Sequence, residues 1–218
     1  MLTNKYLRPD RLGRASVLLA TGFVLSACAS HRVEVAPRMD LTSYDRIALV
    51  TFASDPGKSS LGELATQRFS EAVLDSQHGF QLLELGAADS AVARLLAAGD
   101  APEAARRLGQ EKQVPAVFFG QLSVTNIKPD GTIGGGGSVS IGGTVSAQLN
   151  VRLLNTGTGG TLWRASASES REVGRVTTAP GRLPSISGTD PNAAYADMIE
   201  EMAVQVTRDF RPTWVKQK

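Results

Sequence analysis

A single thiol and two imidazoles, Cys28, His31 and His78, are the soft ligands and ready nucleophiles in this 218-residue chain. Cys28 is a nucleophile once ionised. With no second cysteine, zinc ligation needs both histidines plus carboxylates drawn from distant segments, so no metal site is expected. His78 follows a helical stretch, where an imidazole beside the last carbonyls is commonplace. Glu169 with Glu172, and Glu200 with Glu201, have the composition for acid and base work. The first pair flanks a strand end and the second lies on the polar side of an amphipathic helix, so both read as solvated charge. Gly57-Lys58-Ser59 sits between a strand and a helix, as the end of a phosphate-binding loop does. That loop needs glycine at position 52, where this chain has Phe52, and Pro56 removes a backbone donor. Catalytic residues are therefore expected to be none.

Cys28 is different, because of what precedes it. Lys5, Arg8, Arg11 and Arg14 against Asp10 form a basic start, and residues 15–27 are uncharged. As a helix that run spans about 20 Å, short of the ~30 Å hydrocarbon core. It ends Leu25-Ser26-Ala27-Cys28, which resembles the bacterial lipobox. There, small residues admit a peptidase that cuts before a cysteine converted to a diacylglycerol thioether. Leu25, Ser26 and Ala27 are the expected recognition residues, Cys28 the lipidation site, and the covalent lipid the chain's one attached group. Two or three acyl chains, at about 0.8 kcal/mol per buried methylene, anchor firmly. An ordinary secretory signal with a chance cysteine is the competing reading.

Cleavage also changes the charge balance. The whole chain has 23 basic and 21 acidic residues, and losing four and one leaves 19 against 20. The basic character resides in the signal, so a nucleic-acid partner is not expected. A lone cysteine allows no internal disulfide, and stability must come from a core, which 42% hydrophobic residues can supply for one domain.

Periodicity places the elements. Residues 29–44 are aperiodic and read as a tether. Residues 47–52 form a continuous apolar strand, and 59–77 an amphipathic helix with Leu61, Leu64, Ala65, Phe69, Ala72 and Val73 on one face. Strand 80–85, helices 89–98 and 102–113, and strand 116–125 follow, an α/β alternation. The glycine-rich stretch 131–143 reads as a flexible hairpin tip, a segment that orders on a partner, or a plain loop. Across residues 139–153 apolar and polar side chains alternate, giving a half-buried strand bent or bulged at Gly142-Gly143 and long enough to cross a bilayer. A turn at 155–160 leads into strand 161–170, the antiparallel mate. Residues 171–188 read as a loop. Asp190 and Pro191 then start a last helix through Phe210, and a loose tail begins at 212.

The strand 47–52, the helix 59–77 and the hairpin 147–163, with Asn155-Thr156-Gly157 in its turn and Leu162-Trp163 entering its second strand, resemble the family of the curli-export lipoprotein CsgG. The resemblance covers residues 45–210 and implies kinship with the TolB N-terminal domain and with lipoprotein activators of peptidoglycan synthases. The implied fold is α/β (α+β), a mixed β-sheet flanked by helices with a long antiparallel hairpin and a C-terminal helix. The expected organisation is 1–27 signal, 28–44 lipidated tether, 45–211 single domain of this kind and 212–218 tail. Asn155, Thr156, Gly157, Leu162 and Trp163 enter as structural residues, with Trp163 a packing anchor. The curli channel has two membrane hairpins per subunit, whereas this chain offers one partial candidate around 139–147. Ala29 is not the aspartate associated with inner-membrane retention, which favours an outer-membrane anchor with the domain in the periplasm. The expected role is a non-enzymatic binding or accessory component of envelope assembly or export, with an unidentified envelope protein as partner. The alternative is an oligomeric subunit of an outer-membrane secretion pore, and a homo-oligomer is compatible with both.

Overall fold

The computed structural model describes residues 32–216 except 89, 136–137, 179, 182 and 189. Two units emerge, one spanning residues 36–212 and the other formed by the flanking segments. β1 (Arg32–Val35) belongs to the flanking unit, where it pairs antiparallel with β10 (Thr213–Lys216).

In the larger unit, β2 (Arg46–Leu49) is apolar on both faces because helices cover both. Ile47 and Leu49 join one core, and Ala48 joins the other. The chain continues through β3 (Ala53–Ser54), α1 (Ser59–Ser76), β4 (Gln81–Glu84), α2 (Ser90–Ala97), α3 (Ala101–Lys112) and β5 (Ala116–Val124). Then come β6 (Lys128–Ile133), β7 (Val139–Asn155), β8 (Thr161–Thr178), β9 (Ser185–Ser187) and α4 (Pro191–Val206), with a 3-10 turn at Thr207–Phe210. The eight-stranded sheet runs β4-β2-β5-β7-β8-β9, parallel among its first three strands and antiparallel thereafter. β3 adds to β5, and β6 adds to β7. The fold class is thus α/β with a mixed sheet, a long hairpin and a C-terminal helix, as expected.

The helix starts are set by local chemistry. Asp100 accepts from the Glu103 amide at 3.2 Å, with Pro102 in the first turn of α3. Asp190 accepts from the Asn192 amide at 3.0 Å, with Pro191 opening α4. α1 and α4 cover one sheet face through Phe69, Val73, Met198, Ile199 and Met202. Val92, Ala104, Ala105 and Leu108 of α2 and α3 cover the other. At the centre of the first core, Phe118 meets Phe69, Trp163 and Phe210 edge-on at centroid separations of 5.1, 6.2 and 6.1 Å.

Four expectations differ from the structure. Within the expected tether, Arg32–Val35 is a strand and Leu41 is fully buried in the first core. The expected tail carries β10, because Thr213–Lys216 finds its ladder partner in β1. The expected loop 171–188 contains residues 171–178 of β8, nearly half of that strand, and all of β9, since the first half of β7 supplies β8 with hydrogen-bonding partners throughout. The glycine stretch is mostly sheet. Gly142 and Gly143 lie inside β7, and the expected irregularity is present as a register shift between Gly143 and Thr144. A side chain at Gly143 would displace Ile127, because a Cβ would stand 2.6 Å from Ile127 Cγ2.

Candidate docking surface

One strand, β7, serves two environments. From Val145 to Leu153 its odd-numbered side chains are buried in the core beneath α1 and α4. Toward Val139 the same face is open. The register aligns Gly131, Ile141, Val176 and Ile186 in one cross-strand row across β6, β7, β8 and β9. Ile133, Val139 and Thr178 form the next row. Directly opposed residues share a sheet face, so these side chains make one apolar surface. Ile133 is 85% exposed, Ile186 80% and Ile141 59%. Covering each fully would contribute up to about 1.5–3 kcal/mol.

The reverse face is polar. Ser140 and Thr177 hydrogen-bond at 3.1 Å, and Ser146 and Ser170 at 2.8 Å. Beside the bulge, Arg175 Nη2 donates to Glu172 Oε2 at 2.9 Å. The guanidinium holds the Glu172 carboxyl below the ordinary glutamate range, and Glu172 in turn raises Arg175. This four-stranded extension is an amphipathic blade, suited to bind an apolar surface on one side while the other stays wet.

The sequence motif residues lie elsewhere and hold the domain together. Asn155 Oδ1 accepts from the amides of Gly157 and Thr158, each at 2.9 Å, closing the turn. Thr156 is buried. Its hydroxyl donates to the Val114 carbonyl and its amide to the Pro115 carbonyl, which fastens the turn to the start of β5. Arg106 Nη1 donates to the Thr158 carbonyl at 3.2 Å, tying the same turn to α3. Leu162 is 38% exposed, whereas Trp163 is buried against Phe210 and donates from Nε1 to Asp209 at 3.3 Å. Trp163 thus packs as a structural anchor at the 3-10 turn.

Lys58, Glu169 and Glu201 are engaged with the scaffold. Lys58 Nζ stands 4.7 Å from the Tyr195 ring centroid, and the Tyr195 hydroxyl donates to the Thr125 carbonyl at 2.8 Å. Glu201 pairs with Arg171, and Glu169 accepts from Gln205, so these carboxylates link β8 to α4. His78 is exposed just beyond α1. Among the described residues no cluster of three metal-ligating side chains occurs, and no helix is long and apolar enough to cross a membrane. Leu25, Ser26, Ala27, Cys28 and His31 lie outside the described residues.

The blade itself escaped sequence reading in part. Pro129 and Gly131 disguise β6 as a turn, although proline is acceptable on an edge strand. Ile186 stands alone among serines, glycine and proline, with too short a run to show alternation.

No family model matches the sequence, and no curated protein matches it. Among solved structures, the chain is similar to the PelC dodecamer from Paraburkholderia phytofirmans at 12% identity and a TM-score of 0.43, over 83% of this chain and 96% of that one. It is similar to lipoprotein GNA1162 from Neisseria meningitidis at 21% identity and a TM-score of 0.33, over 58% and 83%. The C-terminal domain of LpoB from Salmonella enterica aligns at 11% identity and a TM-score of 0.34, over 62% and 84%.

Proposed function

We propose that this chain is a CsgG-like lipoprotein, anchored to the outer membrane by lipid on Cys28, whose periplasmic domain is a non-enzymatic binding component of envelope assembly or export. The observation that carries the binding role is the cross-strand row Ile141, Val176 and Ile186, flanked by Ile133, open on one face of a sheet whose other face is polar. Contiguous exposed apolar surface of this kind marks interaction sites on folded domains. The partner is an envelope protein presenting an apolar strip, and neither catalysis nor a cofactor enters the role. Site-specific photo-crosslinking in cells tests it. Probes at Ile141 and Ile186 are expected to yield the same protein adduct, and probes at Ser140 and Thr177 none. Equal labelling from both faces, or none from either, removes the blade from the binding role.

A second reading, a subunit of a secretion pore, is favoured by the outer edges of β6 and β9, each of which has one sheet neighbour among the described residues. Strand addition at such edges joins copies. The mass of the lipidated protein in detergent separates the readings. A discrete large ring favours the pore subunit, and a monomer favours the accessory protein.

A further inference from the structure

The flanking unit is a ribbon that water alone sustains poorly. β1 and β10 pair through Arg32–Lys216, Val33–Val215, Glu34–Trp214 and Val35–Thr213. Every residue of β1 is exposed, as are Thr213, Trp214 and Val215 of β10. Two-stranded ribbons this short are marginal in water unless something covers a face.

The pairing sorts the side chains. Val33, Val35 and Val215 share one face with Thr213, and all three valines are 40–53% exposed. Arg32, Glu34 and Trp214 belong to the other, with Trp214 61% exposed. A small β-branched face backed by charge and an indole has the composition of a membrane–water boundary, where tryptophan and basic residues sit at headgroup level.

Chain length limits how far the valine face can stand from a lipidated Cys28. Four residues take the chain from Cys28 to Arg32. Fully extended, they reach about 14 Å at most. A cysteine whose acyl chains lie in a bilayer therefore confines the ribbon to the headgroup zone and the water layer just above it. Both covalent connections of residues 36–212 pass into this ribbon, at Val35 and at Thr213.

We propose that the β1–β10 ribbon is a membrane-contacting element, with Val33, Val35 and Val215 seated in the phospholipid interface and Trp214 on the headgroup side. This rests on lipidation at Cys28. The C-terminal segment then acts as the second strand of the anchor and replaces a free tether with a paired one.

The test uses the full lipoprotein reconstituted into phosphatidylethanolamine–phosphatidylglycerol vesicles. Lipidation consumes the one native thiol, so Val33→Cys, Val215→Cys and Glu34→Cys each offer a single site for an environment-sensitive fluorophore. Emission from positions 33 and 215 is expected to shift to the blue and to be quenched by spin-labelled lipid, with position 34 staying water-like. The mass of the N-terminal peptide reports lipidation separately. Lipidated protein with all three positions equally water-exposed overturns the ribbon proposal and leaves the anchor standing. An unlipidated Cys28 overturns both. A blue shift that lipid quenchers do not reach, and that disappears when the protein is diluted among more vesicles, shows a second copy on the valine face and also overturns it.

Discussion

The Leu41 amide donates to Gln77 Oε1 at 2.7 Å, and the same buried side chain donates from Nε2 to the carbonyls of Met39 at 2.7 Å and Phe210 at 2.9 Å. One amide at the end of α1 thus joins the segment that enters the domain to the 3-10 turn that leaves it. Gln77→Leu leaves one buried donor and two acceptors without these partners. At about 1–3 kcal/mol for each unsatisfied group, less what water recovers, the loss is on the order of 3 kcal/mol. Urea unfolding followed by circular dichroism measures it, and an unchanged midpoint contradicts the latch.

Gly109 and Thr156 make the closest fit between α3 and the hairpin turn. A Cβ at Gly109 would lie 2.2 Å from Thr156 Cβ. Alanine for glycine inside a helix ordinarily adds up to about 1 kcal/mol of stability. Here Gly109→Ala is expected to destabilise by about 1–3 kcal/mol through overpacking. In a Thr156→Gly background the same change is expected to recover its ordinary stabilising sign. A double-mutant cycle by thermal unfolding decides, and additive effects speak against the contact.

The blade separates binding from folding. Ile186, 80% exposed, has little burial to lose, so Ile186→Ser is expected to leave stability within about 0.5 kcal/mol, while Ile141→Ser, at 59% exposed in an inner strand, is expected to cost about 1 kcal/mol. Both are expected to abolish the partner adduct formed by a photoprobe at Val176. A variant that folds normally and still forms the adduct shows that the apolar row is not the contact.

Glu172 and Arg175 give the bulge a pH dependence of known sign. The Arg175 hydrogen bond lowers the Glu172 carboxyl from its ordinary value of 4.5. A depressed carboxylate contributes stability above its unfolded-state pKa and loses it as pH falls through the folded value. Amide exchange over residues 171–178 of β8, taken relative to the intrinsic rate, which itself slows with acid, is therefore expected to show an excess that grows as pH is lowered below about 4.5. Glu172→Gln is expected to remove that excess. Both groups are solvent-exposed, so the global midpoint is expected to move little.

The sequence reveals those elements that carry their own periodicity or caps. α1 and α4 show apolar stripes, Asp190 and Pro191 mark a helix start, and β7 alternates from Val139 to Leu153. Elements that exist only through distant partners leave no local trace. β1 and β10 are four residues each and come from opposite ends of the described chain, and β6 owes its extended form to β7. The turn at Asn155-Thr156-Gly157 is visible as a turn, but its fit against Gly109 depends on a helix more than forty residues away. The apolar strip is half legible for the same reason. Ile141 lies in an alternating run, whereas Ile133 and Ile186 join it only through strand register.

β7 and β8 form one long ladder from the blade tip to the floor of the core, with register shifts only near Gly143 and Leu153. A partner pulling on the blade along the strand direction therefore loads that ladder in shear, with many hydrogen bonds resisting together. Pulling across the sheet peels β9 first, which is held by three residue pairs. Grip on this protein is directional, firm along the strands and yielding at the edge.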